Sequence, residues 1–204
     1  MSKQKIIITP KGRANWAKIF TPDTKFNAEG DYTVTMVYKQ EEAQDLMSFL
    51  DDQLEASINT ALKEKKTTRA KLRTQPPYEI DEETGDVAVK FKLKAQGKTR
   101  EGQVFTQKPA VFDSRRKPIH QEIDLWNGSI LRVGYQPIGY YTSLVGAGVS
   151  LRLKQVQVIE AVSGGAAVAA FEEDEDGYTF DESDVVESTS TTSETDYAED
   201  DIPF

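Results

Sequence analysis

The 204-residue chain carries 34 acidic and 25 basic side chains, and its net charge of −9 is typical of a solvated acidic protein and disfavours a nucleic-acid partner. With no cysteine and one histidine, His120, it excludes disulfides, a thiolate nucleophile and cysteine-built metal sites, so we expect no metal and no cofactor. No apolar run approaches the ~20 residues of a membrane span, and the first ten residues lack an apolar signal-peptide core, so we expect a cytoplasmic protein without a membrane partner.

The first half of the chain predicts two strands and a helix. Residues 5–9 predict a short strand, and residues 31–39 alternate apolar and polar side chains as a half-buried strand does. Residues 41–66 place apolar side chains three to four positions apart, with acidic residues at the start and lysines at the end. This arrangement predicts an amphipathic helix whose charges favour its dipole.

The second half predicts further strands. A short one is expected at 78–80 and a longer one at 87–94, where apolar residues alternate with lysines. Others are expected at 103–112, 129–136 and 147–160, separated by turns that contain glycine. The predicted fold class is mainly β, an OB-type, five-stranded or slightly larger, partly open barrel with one long α-helix. A flat α+β sandwich is the alternative.

The cations and aromatic residues of this body match what a single-strand binder needs, positive charge along the phosphates and ring faces for the bases. Lys90, Lys92 and Lys94 share one strand face, and three consecutive cations at 115–117 repel one another unless an anion neutralises them. The candidate DNA-binding residues are Lys11, Arg13, Trp16, Lys90, Lys92, Lys94, Lys98, Arg100, Phe105, Phe112, Arg115, Arg116, Lys117, Trp126, Tyr140, Tyr141, Arg152 and Lys154.

Structural roles compete for several of these residues. Phe105 and Phe112 fit the core somewhat better than a stacking platform. Trp16, on a predicted glycine-containing loop, fits a lid over the core equally well, and Trp126 fits packing on the barrel rim. Tyr140 and Tyr141 point to opposite faces if their strand continues, so one of them is expected to be exposed. Arg152 and Lys154 are expected on one strand face.

The net charge is divided along the chain. Residues 172–204 contain 14 carboxylates and no lysine or arginine, whereas residues 1–171 contain 20 acidic and 25 basic side chains and carry +5. Small residues from Ser163 onwards are typical of a linker, and the acidic, Ser/Thr-rich stretch beyond predicts disorder. We therefore predict a folded domain over 1–162 and a flexible linker with an acidic tail over 163–204, and we expect the tail to compete with DNA for the basic body.

The tail finishes with apolar residues that a solubilising segment does not need. Phe204 can fill an apolar pocket while acidic groups meet basic residues on its rim. This tip resembles the C-terminal tip of bacterial single-stranded-DNA-binding proteins, which recruits replication and repair enzymes. The resemblance implies partner binding through Asp200, Asp201, Ile202, Pro203 and Phe204.

The body resembles bacteriophage single-stranded-DNA-binding proteins of OB fold. The likeness is carried by residues 14–20 with 32–35, and by 108–114, 126–133 and 146–157. It implies sequence-independent binding and protection of single-stranded DNA in phage replication, recombination and repair, in the cytoplasm of the infected bacterium. The implied protein partners are a polymerase, helicase or primase, host enzymes among them, and the expected state is a monomer or weak dimer. Phage members often have an acidic tail with a terminal aromatic residue, whereas this tip is closer to the host type.

Three other functions compete with single-strand binding. Carboxylates at 51–52 and 81–83 suggest a metal-dependent nuclease, but the first pair has no catalytic lysine or histidine at helical spacing and the second lies in a turn, so no enzyme is expected. A DNA-mimic inhibitor predicts an acidic folded body, whereas this one is basic. A strand-annealing recombination protein uses the same contacts as a coating protein and stays open.

Overall fold

The computed structural model describes residues 5–25, 27–65, 68–69, 72–99 and 101–163. The chain divides into two units, Met1–Ala166 and Ala167–Phe204, and the description that follows concerns the first. Its elements are β1 (Ile7–Ile8), β2 (Gly12–Asp23), β3 (Asp31–Tyr38), α1 (Gln40–Lys65), β4 (Glu79–Ile80), β5 (Val87–Lys94), β6 (Gln96–Lys98), β7 (Val104–Thr106), β8 (Ala110–Phe112), β9 (Ile130–Thr142) and β10 (Gly146–Glu160).

Five of the strands form a ring. β2 pairs antiparallel with β3, β3 with β5, and β9 with both β2 and β10, while β5 and β10 run parallel. Two contacts in this ring are short, since one residue pair joins β5 to β10 and two pairs join β2 to β9. β1, β4 and β8 extend the same sheet, and β6 and β7 form a separate hairpin. The predicted mainly β fold, with a partly open barrel and one helix, is confirmed.

Side-chain alternation places the core inside the ring. The inward residues of β5 are fully or nearly fully buried, and the lysines between them face outward. β3, β9 and β10 supply further inward residues, and the largest buried side chains include Tyr38, Phe91 and Tyr135. The rings of Phe91 and Tyr135 pack 5.0 Å apart between centroids at a 57° tilt. The polar faces of these strands are therefore left on the outer surface.

Helix α1 packs on the ring through two groups of apolar residues. Glu41 and Glu42 lie in its first turn, where carboxylates favour the helix dipole. Leu46 and Leu50 join the main core, and Ile58 near the other end contributes to a smaller cluster that includes Ala147 of β10. The helix predicted at 41–66 is confirmed, and it holds the start of β10 in place.

Two predicted stretches differ from the structure. The strand expected at 103–112 is two short strands, β7 and β8. The stretch predicted as a glycine-containing loop, Lys11 to Trp16, is from Gly12 onwards the beginning of β2, a 12-residue strand. Register shifts after Asn15 interrupt its alternation, which is why the strand pattern is hidden. Position 12 is a glycine because a methyl group there would collide with the ring of Tyr38. The glycine therefore does not mark a turn.

The acidic tail is not part of this description. Residues 164–204 lie outside the described residues, so the predicted tail and its tip, Asp200 to Phe204, remain predictions, as does the boundary at residue 162. Among the helices that the structure describes, none is long and apolar enough to cross a membrane.

Candidate nucleic-acid interface

Strand register lines up cations on the outer face of the ring. Lys18 of β2 pairs with Thr33 of β3, and Thr33 pairs with Lys92 of β5. Lys92 in turn pairs with Arg152 of β10. Paired residues on adjacent strands point to the same side of a sheet, so three exposed cations lie in one line across four strands. We call Lys18, Lys92 and Arg152 the cation row.

A second line runs beside this row. Asn15 of β2 pairs with Thr35 of β3, and Thr35 pairs with Lys90 of β5. Lys90 is exposed and, among the described residues, forms no ion pair. Hydroxyls, an amide and cations therefore share this face, which suits contact with phosphate oxygens.

The cations of the row differ in their neutralisation. The Nζ atom of Lys92 lies 2.7 Å from the Oδ2 atom of Asp31, a residue with 8% of its surface exposed. Lys18 and Arg152 form no ion pair with a described residue. Two of the three cations in the row therefore have no balancing carboxylate within the described part of the chain, and Lys92 is the member whose charge is balanced there.

A groove follows the second of these lines and includes Lys92 of the cation row. Its larger part has a volume of about 500 Å³ and lies over Thr35, Ala88, Lys90 and Lys92, with Tyr140 at one side. A second part lies over Arg13 and Trp16 and shares Thr35 and Ala88 with the first. We call the two parts together the barrel-face groove, which runs from Trp16 to Tyr140.

Tyr140 forms one aromatic wall of the groove. Its ring lies over Gly148 on β10, where a methyl group would come within 2.5 Å of the tyrosine Oη atom. Below, the Ser57 hydroxyl of helix α1 donates to the Gly148 carbonyl oxygen at 2.9 Å. Tyr140 is 39% exposed, so its ring is supported by backbone and still has a face free for stacking.

Trp16 forms the other wall and is held in an unusual conformation. Its φ of 54° lies in the left-handed region, which is costly for a bulky side chain. Its amide donates to the Oδ1 atom of Asn127 at 2.8 Å, and 73% of the residue is exposed. The predicted alternative, a lid over the core, is wrong because this indole projects into solvent at the groove edge.

The sequence of this body matches one family model, that of the single-stranded DNA-binding protein of bacteriophage T7, over residues 12–161. The matched segment contains all five ring strands and most of the barrel-face groove. The chain belongs to this family. None of the curated proteins compared with the chain is significantly similar to it in sequence.

Solved structures of two phage proteins are similar to this member of the T7-type family. The crystal structure of gp2.5, a single-stranded DNA-binding protein encoded by bacteriophage T7, has a TM-score of 0.70 and 25% identity, covering 88% of this chain and all of gp2.5. A C-terminal truncation of the single-stranded DNA-binding protein from bacteriophage Enc34 has a TM-score of 0.56 and 12% identity, covering 78% of this chain and 87% of that one. The Enc34 protein in complex with single-stranded DNA has a TM-score of 0.55 and 12% identity over 78% and 88%. The Enc34 structures therefore share its fold.

The barrel-face groove of this T7-type family member brings together only part of the predicted site. Lys94 is exposed at the end of β5, and Tyr141 points away from the groove to pack beside the small cluster on α1, as alternation predicted for one of the two tyrosines. Arg13 lines the groove, but its Nη2 atom lies 2.8 Å from Asp86, which also pairs with Lys39 at 2.7 Å. Arg13 and Lys39 therefore share one carboxylate, which balances one of their two positive charges.

Other predicted residues lie elsewhere on the body. Phe105 and Lys98 belong to the β6–β7 hairpin, where the exposed Phe105 ring packs across Gly97 outside the core, so the core assignment is wrong for Phe105. Trp126 is 58% exposed and lines a groove with Lys18. Lys11 is exposed before β2, and Arg100 lies outside the described residues.

Lys154 does not continue the alternation that Arg152 begins. The register shifts between Leu153 and Gln155, so Lys154 occupies a β-bulge without a paired residue on β9. Arg152 is exposed and Lys154 is partly buried. The sequence predicted that the two cations lie on one strand face. The bulge breaks the alternation, so they do not repeat regularly along one face.

The remaining candidates surround a separate groove of about 350 Å³. Phe112 and the loop carrying the exposed Arg115, Arg116 and Lys117 lie beside β10, and this groove is lined by Ile8, Phe112, Arg116, Arg132, Gly134, Gln155, Val156 and Gln157. We call it the Phe112 groove. Phe112 is partly buried and lies outside the main core cluster, so the core assignment predicted for it is wrong as well. The candidate residues are thus divided among the barrel-face groove, the Phe112 groove and the groove that Trp126 lines, with Lys98 and Phe105 on the β6–β7 hairpin.

The carboxylates suggested for a nuclease have other partners. The Asp81 carboxylate accepts hydrogen bonds from the amides of Thr84 at 2.8 Å and Glu83 at 2.9 Å, which lower its pKa. Asp51 accepts a hydrogen bond from the hydroxyl of Tyr78 at 3.0 Å. Within the described ranges, no group of three or more His, Asp or Glu side chains is arranged to hold a metal ion. Asp81 thus stabilises a turn beside the groove.

Sequence reasoning missed several residues that shape the site. Lys18 extends the cation row, Asn127 fixes Trp16, Asp31 neutralises Lys92, and Ser57 supports the strand under Tyr140. The bulge in β2 hid the outward position of Lys18. The sequence signal that could have drawn attention to Asn127 is its position directly before Gly128, a pair typical of turns.

Proposed function

We propose that this protein binds single-stranded DNA along the barrel-face groove without reading its sequence. The observation that carries the proposal is the register of β2, β3, β5 and β10, which aligns Lys18, Lys92 and Arg152 in a row beside the groove that Trp16 and Tyr140 wall, with Lys92 in both. In small OB barrels, oligonucleotides bind over the second and third strands, and β3 and β5 hold those positions in this ring. The family match supports the same conclusion.

The chemistry of the groove favours the backbone of DNA over its base edges. Lysine and arginine side chains neutralise phosphates wherever the sequence places them, whereas Trp16 and Tyr140 offer faces on which any base stacks. The binding is therefore expected to tolerate sequence, to fall steeply with salt, and to require bases that are free to unstack from a partner strand. Such a protein coats and protects exposed strands and removes their secondary structure.

The proposed setting is phage DNA replication, recombination and repair in the cytoplasm of an infected bacterium. The family match supports this setting, and the +5 charge of residues 1–171 supports contact with DNA. The 14 carboxylates of residues 172–204 have the charge needed to compete with phosphates for that body. Residues Asp200 to Phe204 combine acidic and apolar side chains and are proposed to recruit replication and recombination proteins.

The test compares single-stranded with duplex DNA at two salt concentrations, by fluorescence anisotropy, on the full chain and on a chain lacking residues 172–204. We expect a strong preference for single strands, and log K should fall by about 0.7 per neutralised phosphate for each decade of salt. The truncated chain should bind more tightly at low salt. Affinity that is independent of salt, or equal for duplex, would contradict the binding proposal, and unchanged binding after truncation would contradict the competition.

Removal of Ile202, Pro203 and Phe204 alone tests recruitment separately. This variant should lose co-purification with a replication polymerase or helicase and keep its affinity for DNA, because almost all of the tail's charge remains. Retained co-purification would show that recruitment uses another surface.

A further inference from the structure

The Phe112 groove lies outside the path from Trp16 to Tyr140, yet it combines an aromatic ring with two arginines that have no ion-pair partner in the described part of the chain. Arg116 and Arg132 line it with Phe112, and the exposed Ile8 adds apolar surface. Neither arginine forms an ion pair with any residue that the structure describes. Two guanidinium groups beside an aromatic ring suit a ligand that has both an anion and a flat ring.

The Nε atom of Arg132 points more directly to such a ligand. This atom is buried and has no hydrogen-bond partner among the described residues. A buried donor is costly when it is left unpaired, and native proteins rarely leave one so without a reason. An oxygen of a bound anion would supply the missing acceptor.

The loop that carries Arg116 is fixed in place. The Asp113 Oδ1 atom accepts hydrogen bonds from the amides of Arg115 at 2.9 Å and Lys117 at 2.7 Å. Gln157 of β10 donates from its side-chain amide to the Ser114 carbonyl oxygen at 3.0 Å. Arg116, held between these bonds, has a φ of 66°. A strained backbone that surrounding hydrogen bonds hold in place is typical of a residue positioned for binding before its ligand arrives.

We infer that the Phe112 groove binds a second stretch of the same DNA strand, with a base on the ring of Phe112 and a phosphate between Arg116 and Arg132. The inference rests on the proposed single-strand binding and extends it to a separate contact segment. Each arginine can donate two parallel hydrogen bonds to phosphate, which a lysine cannot do.

Strand β10 connects the two grooves. Ser150 lines the barrel-face groove, Arg152 follows on the same strand, and Gln155 and Gln157 line the Phe112 groove. At about 3.3 Å per residue, Ser150 and Gln157 are roughly 23 Å apart along the strand. A stacked single strand rising about 3.4 Å per nucleotide covers this distance with about seven nucleotides. Short oligonucleotides therefore reach one groove, and longer ones reach both.

The test measures the affinity of oligothymidylates of about 4 to 16 nucleotides by fluorescence anisotropy, with the full chain. The unchanged protein should show a second rise in affinity once the oligonucleotide spans both grooves. Phe112→Ala should remove that rise, weakening the longest oligonucleotide about 5- to 150-fold and leaving the shortest unchanged. Arg132→Gln should also lower the salt slope for the longest one by about 0.7. Lys108→Gln, an exposed cation outside both grooves, is the charge-matched control.

Phe112→Leu keeps the apolar volume and removes the ring, so it serves if Phe112→Ala does not fold. Equal affinity of the Phe112 variants and the unchanged protein for every length would overturn the inference. Equal weakening at every length would also overturn it, since the groove would then not be a separate segment. Failure of the proposed function looks different, because the unchanged protein would then bind no oligothymidylate.

Discussion

The pairing of Lys92 with Asp31 predicts which cations determine the salt dependence of DNA binding. Lys90 and Arg152 are exposed and form no ion pair with a described residue, whereas Lys92 is balanced by a carboxylate 2.7 Å away. Replacing Lys90 and Arg152 together by Gln removes two charges from the outer face, one in the groove and one in the cation row beside it. Replacing Asp31 by Asn and Lys92 by Gln together removes a pair whose net charge is zero.

The expected magnitudes follow from counterion release. Each neutralised phosphate contributes about 0.7 to the slope of log K against log salt for single strands, so Lys90→Gln with Arg152→Gln should lower that slope by about 1.4. Between about 50 and 200 mM salt, this change makes the loss of affinity about sevenfold smaller. The Asp31→Asn, Lys92→Gln variant should keep the slope of the unchanged protein.

The assay is fluorescence anisotropy of a labelled oligothymidylate over a salt series. Lys63→Gln, an exposed cation on α1 that lines neither groove, is the control for a change of net charge. Thermal unfolding of each variant establishes that the barrel is intact. The reasoning is refuted if the charge-neutral pair replacement lowers the slope as much as the loss of Lys90 and Arg152 does, or if Lys63→Gln lowers it equally.

Three further variants test other parts of the structure. Gly148→Ala should displace the Tyr140 ring and, like Tyr140→Ala, is expected to weaken single-strand binding by about 1–3 kcal/mol in anisotropy titrations. Normal affinity would show that this ring does not stack. Asn127→Ala should free the backbone of Trp16 and weaken binding while thermal stability changes little, and unchanged affinity would remove the indole from the interface. Burial raises the pKa of Tyr135 to about 12, so the free energy of unfolding should fall as pH rises from about 10, the unfolded value, to about 12. Tyr135→Phe should reduce that fall in denaturant titrations, and an undiminished fall would contradict the assignment to Tyr135. At neutral pH the variant should be at least as stable as the unchanged protein, because it lacks a buried hydroxyl that has no described partner.

The parts of the fold that could be predicted are those in which one physical rule acts alone. Strand β5 alternates without interruption, and α1 keeps its apolar spacing and its end charges, so both lie where the sequence places them. Strand β2 escaped prediction because its bulge breaks the alternation and Gly12 resembles a turn signal. Its glycine is required by the ring of Tyr38, a residue far away in the chain.

The site was predicted less completely than the fold. Residue type indicated that Lys90, Lys92 and Tyr140 are suited to DNA, but no local pattern shows that Asp31 neutralises Lys92. Nor does the sequence show that Phe112 and its neighbouring cations lie on a different groove. Ion pairs and grooves depend on strand register, which long-range pairing determines.

The cation row crosses the ring where two neighbouring strands are joined by the fewest paired residues. Lys92 and Arg152 form the one residue pair between β5 and β10, whereas β3 and β5 are joined by eight pairs. A joint with so few backbone hydrogen bonds opens at lower cost than the long ladders on either side. The spacing of Lys92 and Arg152 is therefore the least constrained in the cation row. The proposed tolerance of sequence would then rest on the compliance of the ring as well as on the chemistry of its side chains.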